Sequence, residues 1–100
     1  MKKVFDKIFA ASKYDTKSLE QKALKLAEES GEVAQAVLSY CKAPGCAAKG
    51  KTKADVIEEA CDCIITAASV IYQIENGKVD DDFLEKMIDH KLDKWVKKFK

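Results

Sequence analysis

Two short runs of carboxylates are the residues best suited to chemistry. Glu28, Glu29 and Glu32 fall within one helical turn, and so do Glu58, Glu59 and Asp62. Residues at i and i+3 share a helix face. Glu29 with Glu32, and Glu59 with Asp62, therefore each offer a pair of oxygen ligands, and two antiparallel helices carrying such pairs can converge on one hard cation. No lysine lies within either run to neutralise it. The second run opens a segment, Ala60 to Ile74, that is apolar almost all round: Cys61, Cys63, Ile64, Ile65, Ala67, Ala68, Val70, Ile71 and Ile74. A helix of that kind is normally buried. An ionised carboxylate in a dry core is costly unless it is paired or bound to a metal, so a merely solvated glutamate face does not account for Asp62.

The elements that must position these groups read as helices. Val4, Phe5, Ile8 and Phe9 have helical spacing within Lys2 to Ser12. Asp15 or Thr16 is placed to cap a second helix that carries Leu19, Leu26, Val33 and Val37 to about Tyr40. Gly31 costs about 1 kcal/mol relative to alanine inside such a run, which suggests a close backbone approach there. Pro44 and Gly45 end the helix, and Ala43 to Lys53 reads as a loop. A third helix runs from about Ala54 to Glu75, with Thr52 or Asp55 near its start, and Asn76-Gly77 stops it. Asp80, Asp81 or Asp82 caps a fourth, carrying Phe83, Leu84, Met87, Ile88, Leu92, Trp95 and Val96. The expected fold is all-α: one domain over residues 1–100, a bundle of one short N-terminal helix and three longer ones. So short a chain buries a modest fraction of its surface, and a core completed by homo-oligomerisation is expected.

Composition narrows the function. The 47% apolar share is ordinary for a globular protein, and a net charge of +1 gives no bias toward nucleic acid or membrane. All 18 basic residues are lysines, so phosphate contacts must come from ammonium groups, backbone amides or a metal. No apolar run approaches the ~20 residues of a membrane span. Without a signal-peptide pattern, the expectation is a cytoplasmic protein with reduced thiols at Cys41, Cys46, Cys61 and Cys63. A zinc knuckle does not fit Cys61-x-Cys63, whose side chains point to different faces of a helix; thiols buried in a helical core are the expectation. Gly45-Cys46-Ala47-Ala48-Lys49-Gly50-Lys51-Thr52 matches the P-loop pattern letter for letter. It lacks the preceding strand and parallel sheet that a P-loop requires, and reads instead as a basic inter-helix loop. His90 has no nucleophile or metal motif beside it, and reads as a surface or partly packed residue.

Glu29-Ser30-Gly31-Glu32 and Glu59-Ala60-Cys61-Asp62, separated by 26 residues, resemble the paired E-x-x-E and E-x-x-D motifs of the MazG-like all-α nucleoside triphosphate pyrophosphohydrolases. That group is related to dimeric dUTPases, dCTP pyrophosphatases and phosphoribosyl-ATP pyrophosphohydrolases. The flanking Lys25-Leu26-Ala27-Glu28 and Cys63-Ile64-Ile65 are similar as well, and the likeness covers roughly residues 17–99. It implies hydrolysis of a nucleoside triphosphate, such as a dNTP, to the monophosphate and pyrophosphate. It also implies Mg²⁺, with Mn²⁺ as a substitute, and a homodimer or homotetramer. Lys91 matches a phosphate-contacting lysine of the last helix, and Lys97-Lys98 a downstream basic segment. Trp95 departs from an asparagine that relatives often carry.

The expected site therefore has Glu29, Glu32, Glu59 and Asp62 as metal ligands. Glu28 or Glu58 would be the general base, given reach to a metal-bound water. Lys91, Lys97 and Lys98 would contact substrate phosphates. The same residues also allow a non-enzymatic Mg²⁺-binding helical oligomerisation or regulatory module, or a P-loop nucleotide-binding fragment.

Overall fold

Reciprocal hydrogen bonds between side chain and backbone set where the two long helices begin. In the computed structural model, which describes residues 1–99 apart from the Ala48 side chain, the helices are α1 (Lys2–Ser12), α2 (Leu19–Tyr40), α3 (Lys53–Ile74) and α4 (Asp81–Lys97). Lys100, the last of the C-terminal lysines, lies outside the described residues. No strand occurs among the described residues. The cap of α2 is Ser18 rather than Asp15 or Thr16. Its hydroxyl accepts from the Gln21 amide at 3.1 Å while Gln21 accepts from the Ser18 amide at 2.8 Å, and this paired satisfaction outweighs a single carboxylate further upstream. Thr52 and Asp55 form the same box at the start of α3. Asp80 caps α4 by accepting from the Asp82 and Phe83 amides.

The P-loop-like stretch is a helix connector. It contains a single 3₁₀ turn, Ala47–Lys49, and Thr52 is occupied in capping. The Lys51 amide donates to Ser39 Oγ. At the far end of α3, Asn76 and Gly77 both have positive φ (54° and 79°), and the Gly77 amide closes on the Tyr72 carbonyl at 2.8 Å. A side chain at position 77 would also meet the Tyr72 hydroxyl at 3.1 Å.

α2 and α3 form the principal packed pair. Contacts run Lys22 to Ser69, Ser30 to Cys63 and Ser39 to Lys51, so the helices are antiparallel. Their shared face is built from small residues: Ala36, Ser39, Ala68 and Ser69 are all buried, which allows close helix approach. α1 packs on α3, with Ile8 buried and Phe9 stacked on Tyr72 at 6.1 Å.

Within one chain, α3 is not enclosed all round. Ile57, Ile64, Ile65 and Ile74 are exposed, because only two helices pack on it. Of the thiols expected in the core, Cys41 and Cys61 are exposed and Cys46 and Cys63 half-buried, and none is in a disulfide. No Cα of α4 lies within 8 Å of another helix. An exposed ion pair, Lys2 to Asp81 at 3.7 Å, spans the gap to α1, and the α4 residues Phe83, Met87, Ile88, Leu92, Trp95 and Val96 remain exposed. His90 is on the surface.

Gly31 is also unlike its expectation. A Cβ built there meets nothing within 4 Å, so no backbone in the chain requires a glycine. Gly31→Ala should therefore stabilise the protein by roughly 1 kcal/mol through helix propensity, read as a higher midpoint in thermal denaturation. A loss of stability instead would show that something outside the protomer approaches this position.

Candidate metal centre

The antiparallel register of α2 and α3 brings the two acidic runs together. Glu29, Glu59 and Asp62 each offer a carboxylate oxygen, and the three oxygens lie within 4.8 Å of one another. This is the one such group of three or more metal-ligating side chains among the described residues. Glu29 is 8% exposed and Glu59 and Asp62 are half-buried, which a freely solvated glutamate face would not show. Asp62 sits where Thr66 Oγ1 donates to its carbonyl at 2.9 Å, one turn along α3.

Charge in the cluster is under strain. The Glu59 carboxyl is held above its ordinary value of 4.5, first by burial and then by the neighbouring charges of Glu32, Asp62 and Glu29, with Lys51 opposing. Glu32, the fourth expected ligand, is exposed and outside the group of three, yet near enough to act on Glu59. Glu28 and Glu58, the two expected bases, are exposed and flank the cluster. Glu28 stands 3.7 Å from Lys25.

One cation already reaches in. Lys25 Nζ lies 3.0 Å from Glu29 Oε1, and this bond, with the charges of Glu28 and Glu29, raises the Lys25 pKa. Sequence reasoning counted only residues inside the acidic runs, although i to i+4 spacing places Lys25 beside Glu29. Lys22 was also missed. Buried at 2% exposure, it shares a seven-residue stripe with Glu29 and Ala36, and that spacing was the available signal. The lysines assigned to phosphate are elsewhere. Lys91 and Lys97 belong to α4 and Lys98 caps it, and α4 stands off from α2 and α3. Within one chain they are not brought to the carboxylates.

The donor set, hard oxygens partly withdrawn from water, suits Mg²⁺ or Mn²⁺. Comparison with family models, curated proteins and solved structures finds no match for this chain.

A carboxyl with a raised folded-state pKa binds more protons in the folded than in the unfolded chain. Its contribution to stability therefore falls as pH rises from about 4.5 through the raised value. The opposite holds for Asp15 and Asp55, whose carboxyls are held below 3.8 chiefly by backbone amides of Lys17 and Thr52. Their contribution is lost as pH falls below that range. In metal-free buffer at pH 7, Glu59→Gln should accordingly raise the melting temperature. Mg²⁺ at ten times its Kd should stabilise the unsubstituted protein by about 1.4 kcal/mol and the variant by much less. A variant with unchanged metal response would remove Glu59 from the site.

Proposed function

We propose that the protein is a Mg²⁺-dependent nucleoside triphosphate pyrophosphohydrolase that assembles as a homo-oligomer. The observation that carries this reading is the meeting of Glu29, Glu59 and Asp62 from two antiparallel helices within 4.8 Å. These residues, with Glu32 at the rim, would hold Mg²⁺, which when bound neutralises the triphosphate and activates water. Glu28 or Glu58 would accept the water proton. The motif resemblance supplies the substrate class. No helix among the described residues is long and apolar enough to cross a membrane; a cytoplasmic setting with reduced cysteines is part of the proposal.

The oligomer rests on surface area. The chain exposes 7773 Å², whereas a folded monomer of its mass exposes about 5,700 Å². The excess is well above the roughly 800 Å² per partner of a standard interface, and α4 and α3 both carry exposed large apolar residues. A Mg²⁺-binding oligomerisation module without turnover is the competing reading, and it draws on the distance of Lys91, Lys97 and Lys98 from the carboxylates.

Incubation with a panel of NTPs and dNTPs plus Mg²⁺ should release pyrophosphate and the monophosphate. Glu29→Gln and Asp62→Asn should each lower the rate at least about 100-fold with helical content unchanged. Absence of pyrophosphate across the panel, with metal binding intact, would favour the non-enzymatic module. Light scattering should give two or four times the 11.1 kDa chain mass, and Trp95→Asp should reduce it; an 11.1 kDa particle would refute the assembly.

A further inference from the structure

A lysine-lined cleft continues the carboxylate groove toward α1. It encloses about 390 Å³ between α1, α2 and α3, and Lys7, Lys17, Lys22, Lys25, Asp15 and Ser69 are among its walls. Four of its wall residues are thus lysines and one is a carboxylate. Two observations mark it as more than a patch of solvated lysines. Lys22 is buried, yet its ammonium, with three donors, makes one long hydrogen bond, 3.4 Å to the Ser69 carbonyl. It also stands 3.8 Å from Asp15 Oδ2. Asp15 is itself shared, accepting from the Lys17 amide at 3.0 Å and lying 3.7 Å from Lys17 Nζ. The Lys22 ammonium thus has one carbonyl and one shared carboxylate as partners, which leaves donors for a further acceptor. The second observation is continuity: Lys25 lines the cleft and touches Glu29, so the basic cleft begins where the acidic cluster ends.

We propose that this cleft binds phosphate oxyanions and receives the terminal phosphates of the nucleotide, which leave as pyrophosphate; the assignment of the anion rests on the hydrolase reading above. In that reaction the water oxygen bonds to the α-phosphorus and the bond from that phosphorus to the α–β bridging oxygen breaks. The electron pair departs on pyrophosphate, and the water proton passes to a carboxylate. A triphosphate carries more negative charge than one divalent ion cancels, and a chain without arginine must answer the remainder with ammonium groups. Lys22 and Lys25 stand on the stripe of α2 that also presents Glu29, which α4 cannot match. Lys25 Nζ lies 3.0 Å from Glu29 Oε1, and would become available to a phosphate if that carboxylate turned to a metal.

The test is calorimetric titration of the metal-free protein, in EDTA, with inorganic pyrophosphate. Saturable binding is expected. Lys22→Met should weaken it about tenfold or more, the scale of a lost hydrogen bond to a charged group. Because a buried site is altered, the exposed pair Lys7→Gln/Lys17→Gln serves as a second variant, expected to weaken binding severalfold with an unchanged melting temperature. Glu59→Gln and Asp62→Asn should abolish metal-induced stabilisation yet leave pyrophosphate binding within about twofold, so the cleft and the metal centre fail separately. Lysine-dependent pyrophosphate binding by a protein that hydrolyses no nucleotide would support the anion site and remove its catalytic role. No saturable binding, or binding indifferent to Lys7, Lys17 and Lys22, would overturn the proposal.

Discussion

Three carboxylates are held closer than their charges favour, and the close packing of α2 on α3 is what holds them. Like charges at short range destabilise any fold that gathers them. Here the opposing contribution comes from a helix interface of alanine and serine, narrow enough to place Glu29 opposite Glu59 and Asp62. The capping boxes at Ser18–Gln21 and Thr52–Asp55 help by defining where each helix starts, and hence which residues of the two stripes face each other. A slip of one turn in either helix would separate the acidic pairs.

The same small interface leaves little core. Among the described residues, Ile8, Ala36 and Ala68 are the buried apolar ones, and none of the larger side chains is fully enclosed. Small residues permit close approach but bury little area, and hydrophobic stabilisation scales with area. The chain therefore builds a precise helix pair while leaving Ile57, Ile64, Ile65 and Ile74 of α3 and most of the apolar stripe of α4 uncovered. Its radius of gyration, 16.0 Å, exceeds the ~13 Å usual for this length, in keeping with an α4 of which no Cα comes within 8 Å of another helix.

Polarity along the groove is ordered. On α2 the facing residues run from Lys22 through Lys25 to Glu29; on α3 they run in the opposite sense from Ser69 through Thr66 to Asp62. A basic end thus adjoins an acidic end. Lys25 joins the two by neutralising Glu29, which lowers the cost of a nearly buried carboxylate. Under the proposals above, a metal-bound polyphosphate would place its cation at the acidic end of this groove and its phosphates at the basic end.

Helical periodicity, the Asn76-Gly77 stop and the acidic pairs at i and i+3 determined locally that the chain is helical and that Glu29, Glu32, Glu59 and Asp62 are the residues to watch, because each depends on neighbours within a few positions; that three of the four meet, with Glu32 left outside, depended on tertiary packing. Only the tertiary structure decided what depends on register and packing partners. Gly31 proved open because no neighbouring element passes it. Ser18 rather than Asp15 caps α2 because Gln21 can answer it. Lys22 is buried because its stripe faces α3 and α1 rather than water. The isolation of α4, with Lys91 and Lys97, likewise followed from how few helices one chain supplies to cover its apolar face, which no local pattern encodes.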